Sequence, residues 1–380
     1  MTAFNHLSNL KEYTPGRTLA EIACSTGIPI DKLIKLNSNE NAFGSSSSAL
    51  KAIHDFLYTD HLNRYPEALG DELVVALKQA YPQIGTGEIV VGNGMDDIIE
   101  AVCRMTISPK DQALVHLPTF EYYALAARWQ KAELIEVQTE AANGFQLNLS
   151  EVLSKITDKL KLIFLCSPNN PTGNLIPELS IKKILEKSAE YGTLVFLDEA
   201  YSDYAGINHL SLPQQYDNLI VGRTFSKLHG LAAMRIGWAV MSPGLLKDYR
   251  KVQTPFAVNK LALIAASASL KDTNFQHESI EQNTIQRDLL EGELSALGFK
   301  VFPSKANFIA LQVGDRFENS ALKLCLKLLE KGVIIRNVSV NDGAPPDLVR
   351  ITVGTPNQNK KLLDIVKSLL TAGNALSISN

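Results

Sequence analysis

Cysteine is scarce in this chain, and the few present form no pattern. The four (Cys24, Cys103, Cys166 and Cys325) are scattered over 380 residues with no CxxC pair and no metal-ligand spacing. That excludes the common zinc and iron–sulfur arrangements, so no metal is expected and the thiols are expected to be reduced and buried in the core. Runs of Lys and Arg are also missing, and the net charge is −3. Neither nucleic acid nor an anionic membrane would find a broad cationic surface here. A phosphate-bearing ligand would have to be held by a few placed cations. Nowhere do about 18 apolar residues follow one another, the length a membrane span needs. The first residues, MTAFNHLSNLKEYTPGR, lack an apolar signal-peptide core, and a cytoplasmic location is expected.

What is present is ordinary for a globular enzyme-sized chain. Hydrophobic residues make up 45% and charged residues 20%, enough for a full core. The length favours two domains at roughly 100–200 residues each. From Ile89 to about Val240, short apolar runs alternate with helical stretches, the texture of a mostly parallel sheet covered by helices. The clearest unit runs from Lys159 to Tyr201. KLKLIFLC reads as a buried strand, SPNNPTG as a turn-rich loop, and Ser180 as the N-cap of the helix IKKILEKSAEY. Gly192 closes that helix, and TLVFLDEAY is the next strand. Both the loop and the second strand end carry polar residues, at the strand ends where open α/β sheets bind ligands. After about Asn259 a long polar helical stretch precedes strand-like NFIALQV, GVIIRNV and LVRITVG, with helical ALKLCLKLLEKG between the first two and a final amphipathic helix. This reads as a smaller α+β domain.

Taken singly, the polar candidates say little. Lys227 in RTFSKLHGLAAMRIG is one lysine among many, Asp198 at the end of an apolar strand is a common helix cap, and Asn, Pro and Gly are ordinary turn residues in PNNPTG. Together and in order they are specific. EYTPGR, KLNSNENAFG, LNRYPEALGDELVVALKQAY, VVGNGMDDIIEAV, CSPNNPTGNL, VFLDEAY, VGRTFSKLHGLAAMRIGWAV, GVIIRNV and LVRITVGT resemble the aspartate-aminotransferase superfamily, fold type I of the pyridoxal-phosphate enzymes. Within it the likeness is nearest to the histidinol-phosphate aminotransferases. The resemblance runs from about Tyr13 to the end. It implies an α/β fold with a large domain built on a mostly parallel seven-stranded sheet and a smaller α+β domain. The expected division is an N-terminal arm over 1–30, a large cofactor-binding domain over 31–260 and a small domain over 261–380.

Each matching position has a chemical reason for its residue type. Lysine forms an imine with an aldehyde once its amine is deprotonated, and Lys227 matches the Schiff-base lysine. A pyridine nitrogen that must stay protonated needs an acidic partner, and Asp198 matches it. By resemblance Tyr201 and Asn170 donate to the ring's phenolic oxygen, and Phe120 stacks on the ring, where Tyr is common in the family. GNGMDD opens a helix read over Asp96 to Cys103, whose first amides suit a phosphate; the resemblance assigns those amides to Met95 and Asp96. Met95 and Asp97 depart from the Ser or Ala and Asp-Glu usual there. Thr224, Ser226 and Arg235 sit at the remaining phosphate positions, and Arg235 supplies a forked cation. Tyr65 of RYP matches a tyrosine that reaches a neighbour's phosphate, so a homodimer with shared active sites is implied. For substrate, the resemblance implies Arg350 for an α-carboxylate, Arg336 and Tyr13 for a substrate phosphate, and Asn39 near the substrate. A surface or capping role for Arg336 stays open.

The expected activity is transfer of an amino group from L-histidinol phosphate to a 2-oxoacid, 2-oxoglutarate being preferred. Aromatic amino acid transamination and threonine-phosphate decarboxylation use the same scaffold and remain rivals. A regulatory protein on this fold is a rival of another class, but only 36 residues precede NSNEN, and they lack the basic character of a DNA-binding segment.

Overall fold

The structure, a computed structural model, describes Leu10, Glu12, residues 16–59 and residues 61–377, with residues 372–377 described by backbone alone. Tyr13 lies outside the described residues. The strands, in chain order, are β1 (Ile34–Leu36), β2 (Glu88–Gly92), β3 (Gln112–Leu117), β4 (Glu133–Gln138), β5 (Leu160–Cys166), β6 (Leu194–Asp198), β7 (Leu219–Thr224), β8 (Gly237–Met241), β9 (Lys300–Phe302), β10 (Phe308–Gln312), β11 (Val333–Asn337) and β12 (Leu348–Thr352). The helices are α1 (Leu19–Thr26), α2 (Ser47–Leu57), α3 (Asp71–Ala80), α4 (Gly94–Thr106), α5 (Tyr122–Trp129), α6 (Leu149–Lys155), α7 (Glu178–Ala189), α8 (Ser202–Ala205), α9 (Pro243–Val252), α10 (Lys260–Lys271), α11 (Thr273–Ala296), α12 (Ala321–Leu329) and α13 (Pro356–Ser377).

Seven strands form one sheet in the order β2-β8-β7-β6-β5-β3-β4. Only β8 runs against its neighbours; the β3–β4, β3–β5, β5–β6 and β6–β7 pairs are parallel. Parallel strands need crossover helices, which cover both faces, so the central strands are apolar throughout rather than alternating. LVFLD of β6 is buried at every position. One core cluster packs Ile163, Leu165 and Val195 with Ile181, Ile184 and Leu185 of α7, and another packs Phe164 and Phe196 with Ile98, Ile99 and Val102 of α4. Each fully buried side chain of this kind stabilises the fold by about 1.5–3 kcal/mol before entropy is counted.

The remaining five strands form a second sheet, β1-β11-β12-β10-β9, antiparallel except for the β1–β11 pair. Its core, with Ile309, Leu311, Val349 and Ile351, is closed by α11, α12 and α13.

Local details differ from the sequence reading. The helix α7 starts at Glu178 with Pro177 as its N-cap residue. Ser180 therefore lies inside the first turn, its N–H bonded to the Pro177 carbonyl at 2.8 Å, and does not cap it. The helix α4 begins at Gly94, two residues ahead of the expected start. Strand β1 falls in the segment assigned to the large domain, yet it hydrogen-bonds into the small sheet, Ile34 opposite Val333. Conversely α10, just beyond residue 260, packs on α2 and α3; Ala262, Ala265 and Ala266 join the large unit's core.

Candidate active site

Parallel strands end on one edge, and that edge gathers Cys166 of β5, Asp198 of β6 and Thr224 of β7. The helix α4 starts there after β2, and Arg235 stands there just ahead of β8, because Gly237 pairs with both Gly92 and Thr224. Two glycines make this crowding feasible. A Cβ on Gly237 would meet the Met95 amide nitrogen at 2.6 Å, and one on Gly94, whose φ is +78°, would meet Arg235 Nη2 at 2.6 Å. Bare backbone therefore lets the first turn of α4 press against both the sheet and the guanidinium.

A cleft of about 330 Å³ opens between this edge and the second sheet. Its floor from the large unit includes Met95, Asp96, Phe120, Asn170, Asp198, Tyr201, Thr224, Ser226, Lys227 and Arg235, and its other wall includes Asn39, Arg336 and Arg350. Residues 198, 227 and 235 thus face one cavity. Tyr65 does not line it; it is 83% exposed and packs on Phe256 with ring centroids 4.9 Å apart.

The floor is held by hydrogen bonds. Asp198 is buried, and its Oδ1 accepts the Ala200 N–H at 2.8 Å while its Oδ2 accepts the Tyr123 hydroxyl. Burial pushes this carboxyl up to about 6; the Tyr123 and Ala200 hydrogen bonds oppose the shift. Tyr201 is buried beside it and accepts from Asn39 Nδ2 at 3.0 Å. Burial raises its pKa further above that of an ordinary phenol. The Lys227 amine lies 5.6 Å from the Tyr201 ring centre and 3.5 Å from the Ser38 carbonyl. Desolvation and the Arg350 charge pull its pKa down to about 8. A neutral, nucleophilic amine is then accessible near neutral pH.

The group that such a site would hold is an anionic aldehyde, and the donors present fit one. The amides of Met95 and Asp96 belong to the first turn of α4 and lack intrahelical acceptors, and both residues line the same cleft as Ser226, Thr224 and Arg235. This donor set suits a phosphate dianion. Arg235 Nη2 meanwhile pairs with Asp96 Oδ2 at 2.8 Å, so an arriving phosphate shares that guanidinium with a carboxylate.

On the opposite wall, Arg350 of β12 and Arg336 of β11 are direct cross-strand partners. Opposed residues project from the same face of a sheet, and like charges there repel. Arg350 is steadied by the Asn170 Oδ1, by the Asn37 carbonyl at 2.7 Å and by the Phe308 ring 5.5 Å away. Two adjacent cations facing one cleft call for anionic ligands.

Sequence reasoning passed over several wall residues. Asn37, Ser38 and Glu40 line the cleft and sat unremarked beside Asn39 in LNSNEN. Tyr123 lay three residues after Phe120 in LPTFEYY. Asn341 also lines the cleft, and its Oδ1 is buried with no hydrogen-bond partner among the described residues; no local pattern marks it.

Comparisons with known proteins agree with this architecture. The signature of the family described as Aminotransferase class I and II matches residues 31–366. A histidinol-phosphate aminotransferase of Methanosarcina mazei is 40% identical over 93% of this chain and 93% of its own length. One of Methanococcoides burtonii is 39% identical over 94% and 96%. Among solved structures, histidinol-phosphate aminotransferase from Sinorhizobium meliloti, in complex with pyridoxal-5'-phosphate, superposes with a TM-score of 0.85 at 23% identity, covering 98% of this chain and 99% of that one. With that likeness over nearly its whole length, the chain belongs to the class I and II aminotransferases.

Proposed function

We propose that this enzyme transfers the amino group of L-histidinol phosphate to 2-oxoglutarate, giving imidazole-acetol phosphate and L-glutamate, with pyridoxal 5'-phosphate as cofactor. The observation that carries the reading is the cross-strand pair Arg336–Arg350 in the cleft that also holds Lys227. One donor bears a phosphate and no carboxylate, and the acceptor bears two carboxylates. A single wall must therefore receive different anions in turn, and paired guanidinium forks suit both. The relatives at 33–40% identity over nearly the whole chain carry the same name.

When bound, the cofactor supplies an electron sink for cleavage of a bond at the substrate α-carbon. The placement of the residues in one cleft supports the following roles. Lys227 accepts a proton at Nζ and returns it, which its lowered pKa favours. Asp198 stabilises a protonated ring nitrogen. Arg235, Thr224, Ser226 and the amides of Met95 and Asp96 anchor the phosphate. Phe120 would pack on the ring, and Tyr201 and Asn170 would hold its phenolic oxygen. Arg350 takes a carboxylate and Arg336 the substrate phosphate, with Asn39 holding Tyr201 in place and Tyr13 assigned to the phosphate by resemblance alone.

A homodimer is part of this reading. Tyr58, Leu62, Tyr65 and Phe256 are exposed and the Tyr65 and Phe256 rings pack on each other, exposed apolar groups of the sort that partners cover, and Tyr65 is the residue assigned to a neighbour's site. Light scattering that gives a mass of one chain at micromolar concentration would remove the shared site.

The activity is tested by glutamate formation from histidinol phosphate and 2-oxoglutarate. Brisk turnover of phenylalanine or tyrosine with none of histidinol phosphate would instead identify an aromatic aminotransferase.

A further inference from the structure

The Asp198 carboxylate has two oxygens, and both are committed within the protein: one to the Ala200 amide at 2.8 Å, the other to the phenol of Tyr123. Tyr123 stands in the first turn of α5 and is fully buried. Its ring lies flat on Phe164 of β5, centroids 4.9 Å apart at 10°, and edge-on to Phe120 at 5.5 Å and 87°. A buried phenol must spend its proton on a partner. Here the partner is the carboxylate that the proposed function places behind the cofactor ring, while the same tyrosine abuts the aromatic residue that packs on that ring's face.

We propose that Tyr123 is a positioning residue for Asp198: its hydroxyl holds the carboxylate ionised and fixed in the orientation that a protonated ring nitrogen requires. This rests on the reading of Asp198 given above. The charged and titratable groups around Asp198 come from every packed element: Asp96 from α4, Tyr123 from α5, Cys166 from β5, Tyr201 after β6 and Lys227 after β7. Burial and the Asp96 charge work against ionisation; Lys227, the Ala200 amide and Tyr123 work for it. Of these supports, Tyr123 is the one side chain that touches the carboxylate. Burial and Asp198 keep the Tyr123 phenol far above its ordinary pKa, so it stays a donor throughout the working range. Loss of a donor to a charged form raises the pKa of an acid. A carboxyl already raised by burial then has a larger neutral fraction near neutral pH.

The test uses Tyr123→Phe, which keeps the ring and its stacking and removes only the donor. In cofactor-free protein the carboxyl of Asp198, followed by carbon NMR, should titrate with a midpoint higher by about one pH unit. In the holoenzyme, cofactor affinity should fall about tenfold and the acidic limb of the kcat profile should move up, with KM little changed. Tyr122→Phe, whose hydroxyl serves Glu100 instead, should move none of these. If Tyr123→Phe fails to fold, 3-fluorotyrosine at position 123, a stronger donor, should lower the midpoint. An unmoved midpoint and unmoved cofactor affinity in the Phe variant, or an unmoved midpoint with fluorotyrosine, overturn the proposal. An Asp198→Asn enzyme that binds cofactor as the parent does overturns the reading of Asp198 beneath it.

Discussion

The two walls of the cleft are built on different principles. The wall from the seven-stranded sheet is buried: Asp198, Thr224, Ser226 and Tyr201 are each less than a tenth exposed, with Asp198 held by Tyr123 and the Ala200 amide, Tyr201 by Asn39, and Thr224 by the Ser226 amide. The wall from the five-stranded sheet presents two neighbouring arginines that are only partly buried. Buried, mutually bonded groups have one arrangement and suit chemistry that must be repeated identically for both substrates. Partly solvated cations adjust at low cost and suit ligands that differ. On the proposed roles, fixed reactivity and variable recognition would be separated by sheet. Joints between the walls include Asn39 to Tyr201, Arg350 to Asn170, and Lys227 to the Ser38 carbonyl.

That contrast can be broken from either side. Lys227→Ala should lower kcat/KM by roughly four orders of magnitude or more for every donor, since the groups of a reacting constellation fail together, with the melting temperature little changed; retained turnover would place the chemistry elsewhere. Arg350→Lys should cost about 100-fold in kcat/KM with glutamate, because an ammonium lacks the bidentate fork. Arg336→Gln should raise KM for the phosphate-bearing donor by about tenfold or more and affect glutamate less. Equal losses for both ligands would merge the two recognition roles. The smallest effect is one of pH. The Lys227 amine is protonated below about 8, so capture of pyridoxal phosphate by cofactor-free protein, followed by absorbance, should speed up by up to about tenfold per pH unit as pH rises toward 8 and level off above it. The same depressed pKa carries a stability signature. Between about 8 and the ordinary lysine range the unfolded chain holds more protons, so the cofactor-free protein should gain stability as pH rises through that window.

Much of the reacting wall was legible because its residues sit at strand ends inside continuous motifs: the buried run LVFLD announces β6, and Asp198 closes it. Arg350 and Arg336 were legible as members of strand-like strings, but their cross-strand opposition depends on register, which no local pattern encodes. Strand β1 was hidden because IKL is only a short segment whose partner lies near the other end of the chain. Helix α10 lies in sequence with the segment expected to form the small domain because its small apolar residues run directly toward α11, and only packing reveals that they face α2 and α3. Tyr123 escaped notice because two adjacent tyrosines follow Phe120, and sequence cannot say which of them turns inward to the sheet.

The parallel pairing of Ile34–Leu36 with Val333–Ile335 has a consequence for biogenesis. A ribosome releases β1 before any strand of the seven-stranded sheet, but its mate emerges only after that entire sheet has been made. The early segment must wait, unpaired, while the larger body condenses beside it, and the second sheet closes last. Arg350 on β12 enters the cleft only with that final closure, so a nascent or truncated chain can bury its lysine and aspartate long before it is able to grip a substrate.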